Sequence, residues 1–334
     1  MASLEIRKEV QQNPVAGEVP ALIAVTRPIL AALLYSLKAE VVSDYGGHSR
    51  VLLRQLARNR SENDGESGVC FEYAVHDAIV KGDPGVLERI ETALSRHCKV
   101  SGGDIRSLLF GVEKTGKINL IESVRENLTE ESILMSGSRG RPIKLKNRVD
   151  QLSAAFRKTS ERNKLPYTIS GLWKADLFVG RPEPDQWVGT TVKINRRQLE
   201  AARGLRLAIV PADQGKSDLV RLEENKNLVI VPVPYDGAFM EVFWMAWETV
   251  LQVMAADCKL PKPAALPRPP QREVARLLAD RREFPVQDVL DALDPLAQPY
   301  LLQTRPEQLE LDLFRPGVST DLQSVVSPYA RRIE

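Results

Sequence analysis

Cysteine and histidine are scarce in this chain, at three of each in 334 residues. Cys70, Cys98 and Cys258 are far apart and odd in number, and they lack the short paired spacings of a metal cluster. Neither a disulfide framework nor a zinc cluster is therefore indicated, and the three read as small buried apolar groups. No apolar stretch is expected to span a bilayer. The first thirty residues hold no apolar run between a basic head and a small-residue cleavage site, so a cytoplasmic location is the expectation. There is no P-loop, no Gly-x-Gly-x-x-Gly after a strand, no His-Glu-x-x-His and no nucleophile elbow, which leaves nucleotide, zinc-protease and serine-hydrolase chemistry without support. Any ATP hydrolysis would have to come from a partner. Nor is there a charge of one sign: 46 basic against 44 acidic residues give +2, so only the distribution of charge along the chain can point to a polyanion.

What is present is apolar material, 43% of the chain, for one large core or for a core plus a smaller module. Residues 18 to 60 have helical apolar spacing, with Pro28 as a break or kink, and the polar run Ser61 to Gly68 reads as a loop. Residues 69 to 81, VCFEYAVHDAIVK, predict a helix stopped by Gly82-Asp83-Pro84-Gly85. Further helical patterns follow at 84 to 97, 103 to 112, 117 to 128 and 147 to 160. After Pro166 the text turns to short β-branched and aromatic pieces, YTISGLW, KADLFVG and WVGTTVKIN, which predict a three-stranded meander. Residues 195 to 204 predict a helix, LRLAIVPA and NLVIVPVP buried strands, and 237 to 257 a long apolar helix. A proline-rich linker follows Cys258 and carries a tail with two short helices, QREVARLLADRR and VQDVLDALDPL. The expected organisation is α/β: a helical N-terminal region at 1–60, a core at 68–258 with a helical insertion at 84–160, and a linker with an interaction tail at 259–334.

The chemistry concentrates where KADLFV and VGTTVKI sit side by side. Alternate side chains of a strand share a face, so Thr191 and Lys193 project together, away from Val192 and Ile194, beside Asp176 on the neighbouring strand. An aspartate at the second strand, then a polar residue, one spacer and a lysine on the third, followed by a helix and a strand, resembles the PD-(D/E)XK restriction-endonuclease-like superfamily. The resemblance covers roughly residues 68 to 258 and implies an αβββαβ core. It implies a metal-dependent endonuclease cleaving phosphodiester bonds in DNA with Mg²⁺ or Mn²⁺, as a bacterial defence, restriction or repair effector. Asp176 would be the main metal ligand, and Lys193 would orient the attacking water and stabilise the pentacovalent charge. Glu72 resembles the helix-borne glutamate that many members add to the metal site. Thr191 stands where glutamate or aspartate is commonest. A hydroxyl is a weaker ligand, so the departure also fits a non-catalytic nucleic-acid-binding or regulatory subunit on a degenerate core.

Each residue also has a plainer reading. For Asp176 and Lys193 it is a surface ion pair, and for Glu72 a half-exposed group on a helix. His76, one turn after Glu72 on the same face, is either an aid to a metal or phosphate or a hydrogen-bonded structural histidine. Residues 137 to 164 hold nine basic side chains against two acidic ones, among them Arg139, Arg141, Lys144, Lys146 and Arg148. Such a concentration suits phosphate neutralisation, as do Arg196, Arg197 and Gln198 after the lysine strand; the alternative is a solvated helix face. In the tail, Gln308, Leu311, Leu313 and Phe314 belong to a QLELDLF segment. It resembles the short peptides by which bacterial DNA polymerases and repair proteins bind the sliding clamp; a strand or another docking segment shows the same alternation. A third option is a structural subunit whose helical ends assemble a complex.

Overall fold

The computed structural model describes residues 15–59, 66–111, 118–135, 142–158, 171–214, 218–235, 239–255 and 266–297. Helix α1 spans Val15–Tyr35, and Leu22, Ile23, Ile29, Leu30, Leu33 and Leu34 along it are all buried. A helix apolar nearly all round belongs inside a core. Its stretch Glu18–Tyr35, with mean hydropathy 1.5, is long and apolar enough to cross a membrane, contrary to the expectation from sequence. The reason is Pro28, which sits within the helix without ending it. Within the fold 67% of that stretch is buried. Its Arg27 pairs with Asp77 at 2.5 Å and with Asp294 at 3.3 Å, which ties the helix to two distant parts of the chain.

Helices α2 (Ala39–Asp44), α3 (Leu53–Arg58), α4 (Glu66–Lys81) and α5 (Pro84–Ala93) follow. The predicted breaker works as a cap: Asp83 accepts from the Val86 N–H at 3.0 Å, with Pro84 in the first turn of α5. Next come β1 (Arg106–Leu109), α6 (Ile118–Asn127), β2 (Ile133–Leu134), β3 (Ile143–Lys144), α7 (Leu145–Arg157), β4 (Leu177–Arg181), β5 (Gln186–Val192), β6 (Leu205–Pro211), β7 (Arg221–Glu223) and β8 (Leu228–Val233). Helices α8 (Phe239–Ala255), α9 (Pro269–Ala279) and α10 (Val286–Leu293) complete the described chain.

The strands form one mixed, open sheet in the order β1-β4-β5-β6-β8-β7, with β2 joining β5 and β3. Strands β1, β4 and β5 run antiparallel in turn, and β5, β6 and β8 are parallel. Leu177, Val179, Val188, Leu207, Ile209 and Val229 point into the larger core with Phe71 and Val75 of α4 and Phe243 of α8. Phe178, Trp187, Ala208, Val210 and Ile230 point to the opposite face with Ile121 of α6 and Val149 and Leu152 of α7. Burial on both faces explains why β6 and β8 read as continuous apolar runs.

Several elements differ from the sequence expectation. The first strand of the meander is β1, from within the stretch read as a helical insertion. Four residues are too few to separate the two periodicities, and Arg106 to Leu109 find backbone partners on β4 from Gly180 to Leu177. Of the strand expected at YTISGLW, residues 167–170 lie outside the described residues, and Leu172–Lys174 form a 3₁₀ turn. The helix expected at 195–204 is reduced to one 3₁₀ turn, Arg196–Gln198, capped by the Asn195 side chain. Good helix formers lose here to close packing. A Cβ on Gly189 would lie 2.1 Å from the Gly204 carbonyl oxygen, and one on Gly171 1.9 Å from that of Arg203, so the connection lies flat against its neighbours. The two tail helices form as expected but do not hang free. Leu53 N–H donates to Phe284 O at 3.0 Å and Val286 N–H to Val51 O at 2.8 Å, and Leu278 and Leu293 are buried with α1 in the larger core. The N-terminal and C-terminal helices thus belong to the same core as the sheet.

Candidate functional site

Asp176 directly precedes β4, and its N–H donates to Thr190 O at 2.9 Å, which fixes its place beside the end of β5. The side chain is buried, and its Oδ2 accepts from Thr191 Oγ1 at 3.0 Å, from the Val192 N–H at 2.8 Å and from Lys193 Nζ at 2.9 Å. Strand alternation brings Thr191 and Lys193 to one carboxylate, as the spacing predicted, while Val192 joins the larger core. Burying a carboxylate is costly unless its lone pairs are filled and its charge matched. Two neutral donors and one ammonium group do so here.

Glu72, on α4, is also buried. Its carboxylate lies beside Gly111, just beyond β1. The N–H groups of Phe110 and Gly111 both donate to the Asp176 carbonyl oxygen, at 2.9 and 3.0 Å. A Cβ on Gly111 would lie 4.0 Å from Glu72 Oε2. His76, one turn further, places Nδ1 2.9 Å from Ser107 Oγ on β1. Burial pushes its pKa down to about 4, which keeps it neutral near pH 7. This is the arrangement of a hydrogen-bonded structural histidine.

Lys174 and Glu200 form a second, more exposed pair near enough for Glu200 to feel the Lys193 charge, although nothing in their spacing announced them. Lys174 Nζ donates to Glu200 Oε2 at 2.7 Å, in the connection between β5 and β6. That hydrogen bond and the Lys174 charge, with a smaller contribution from Lys193, hold the Glu200 carboxyl below its ordinary range.

The basic residues are more occupied than a charge count suggests. Lys144 pairs with Glu131 at 2.6 Å, Lys146 with Glu130 at 2.9 Å and Arg157 with Glu122, while Arg148 donates to Gln151 at 3.0 Å. Arg196 pairs with Asp218, and with Asp213 at 3.7 Å. Arg197 and Gln198 are exposed beside it. Arg139, Arg141, Gln308, Leu311, Leu313, Phe314 and Cys258 lie outside the described residues.

Asp176, Glu72 and Thr191 offer hard oxygen donors, the kind that suits Mg²⁺ rather than a soft metal. Among the described residues, no three or more His, Cys, Asp and Glu side chains gather in the manner of a metal cage. The chain matches no protein-family model, no curated protein and no solved structure.

Proposed function

We propose that this chain is a metal-dependent nuclease with a core of the PD-(D/E)XK type, cleaving phosphodiester bonds in DNA. The observation that carries the reading is the 2.9 Å contact between Lys193 Nζ and Asp176 Oδ2, made across neighbouring strands at the end of the sheet. The order of helix α4, the antiparallel strands β1, β4 and β5, and parallel β6 supports it. So does the approach of Glu72 from α4.

In this reading Lys193 orients the attacking water and neutralises charge that develops on the phosphoryl oxygens. Asp176 holds the lysine in place, and Thr191 fixes the carboxylate. The carboxylates of Asp176 and Glu72, with the Thr191 hydroxyl, would hold Mg²⁺ or Mn²⁺. When bound, the ion supplies charge neutralisation and lowers the pKa of a bound water. Arg197 and Gln198, exposed beside the site, would meet flanking backbone. Residues 308–314 would reach a partner such as the sliding clamp, and a cytoplasmic role in defence, restriction or repair is consistent with this chemistry.

A second reading keeps the fold but not the catalysis: a nucleic-acid-binding or regulatory subunit. It is favoured by the hydrogen bond from Thr191 to Asp176, which ties up in the protein an oxygen that a metal would use. Cleavage of labelled single- and double-stranded DNA and RNA, with Mg²⁺, Mn²⁺ or EDTA, tests both. The nuclease reading expects metal-dependent cutting that Lys193→Ala loses. Salt-sensitive binding without cutting in any condition would support the second reading instead.

A further inference from the structure

Three arginines from different elements converge on one loop at the same end of the sheet as Lys193. Arg196, three residues beyond Lys193, pairs with Asp218 and lies 3.7 Å from Asp213. Arg89 of α5 donates to the Asp218 carbonyl oxygen at 2.6 Å, and Arg221 lies 3.7 Å from Asp218 Oδ1. The hydrogen bond from Arg196, followed by the charges of Arg196 and Arg221, holds the Asp218 carboxyl below its ordinary range. Strands β5 and β6 are parallel neighbours, with Val192 beside Ile209. Arg196 after β5, and Asp213 and Asp218 after β6, therefore emerge together where the Asp176–Lys193 pair sits.

One carboxylate does not exhaust this group. A guanidinium presents five N–H donors in a planar fork suited to a tetrahedral oxyanion. The Arg196 Nε–H is buried with no hydrogen-bond partner among the described residues. Asp218 is 20% exposed at the side chain and Arg196 26%, so water and a ligand can reach the pair. A strand of nucleic acid whose scissile phosphate lay at Lys193 would bring a neighbouring phosphate towards these arginines.

We propose that Arg196 and Arg221 form the seat of a backbone phosphate flanking the scissile one, that Asp218 fills this seat until nucleic acid displaces it, and that Arg89 holds the backbone of the Asp218 loop in place. The proposal rests on the nucleic-acid reading of the site and deepens it. The internal anion lowers the affinity for polyanions and keeps the arginines ordered in the free protein.

The test is the fluorescence anisotropy of labelled oligonucleotides in EDTA, across a sodium chloride series, with the full chain. Asp218→Asn should bind up to about fivefold tighter, the release expected from a partly exposed pair. Arg196→Gln should bind more weakly, and its salt dependence should flatten by about one phosphate contact. Unchanged or weaker binding by Asp218→Asn, in a protein that does bind nucleic acid, overturns the proposal and leaves the nuclease reading standing. If no variant binds any oligonucleotide, it is the nucleic-acid reading that fails. The seat is then judged with inorganic phosphate, by thermal shift against chloride at matched ionic strength. A larger shift in Asp218→Asn than in wild type, absent in Arg196→Gln, supports it, and equal shifts overturn it. Should Asp218→Asn fail to fold by circular dichroism, Asp213→Asn is read in the same way with a smaller expected gain.

Discussion

Thr191 and Asp176 are joined across neighbouring strands by a 3.0 Å hydrogen bond, the hydroxyl donating to the buried carboxylate. The threonine thus neutralises a lone pair where a second carboxylate would add charge. Thr191→Val should cost about 1–3 kcal/mol, because it leaves a buried acceptor short of a donor, and Thr191→Ser should restore most of that loss. Urea unfolding measures both. Thr191→Glu places two carboxylates together and should be destabilised in EDTA but regain stability with Mg²⁺, if the oxygen cluster holds a divalent ion. No response of its melting temperature to Mg²⁺ would remove the metal from the proposed site.

Lys193→Ala tests the proposed catalytic role against a purely structural one. The lysine side chain is 22% exposed and that of Asp176 5%, so its loss should cost more than the about 1 kcal/mol of an exposed pair and less than the roughly 3–5 kcal/mol of a fully buried one. Cleavage should fall by at least about a hundredfold, the scale of removing one preorganised charge-stabilising group, with oligonucleotide binding kept within a few-fold. Wild-type cleavage by both Lys193→Ala and Asp176→Ala would remove the site.

His76 makes stability depend on acid. Its folded pKa of about 4 lies below its ordinary 6.5, so the unfolded chain takes up the proton first. Stability should be full above about pH 6.5, fall as the pH drops towards 4 and level off below that. The slope through this window should be about 1.4 kcal/mol for each pH unit. His76→Gln can keep the contact to Ser107 without titrating. Its unfolding free energy should lose that slope between about pH 7 and 4.5; an identical slope in the variant would assign the acid sensitivity elsewhere.

The C-terminal helices should melt with the sheet. Leu293 and Leu30 are both buried in the larger core, so Leu293→Ala and Leu30→Ala should each cost about 2–5 kcal/mol. Each should shift one cooperative transition. A second transition that moves only in Leu293→Ala would mean that residues 266–297 unfold on their own.

Elements whose signal is local and long enough to repeat were legible in the order of residues alone. Periodicity marked α4 and α8, continuous apolar runs marked β6 and β8, and Gly82-Asp83-Pro84-Gly85 marked the end of α4. Alternation along β5 was enough to place Thr191 and Lys193 on one face opposite Val192, because that depends only on the geometry of a single strand. Whatever depends on distant partners came from the folded chain. Residues 106–109 became a strand because β4, some seventy positions on, offered hydrogen bonds. Arg203 and Gly204 pack so closely on Gly171 and Gly189 that a Cβ at either glycine would clash, a contact that no local spacing announces. The C-terminal helices found their place on α1 through Val51 and Leu53. The availability of charges has the same origin. Spacing gives the face of a side chain but not its counter-ion, so Lys144, Lys146 and Arg196 read alike in the sequence, and only folding brings Glu131, Glu130 and Asp218 to them.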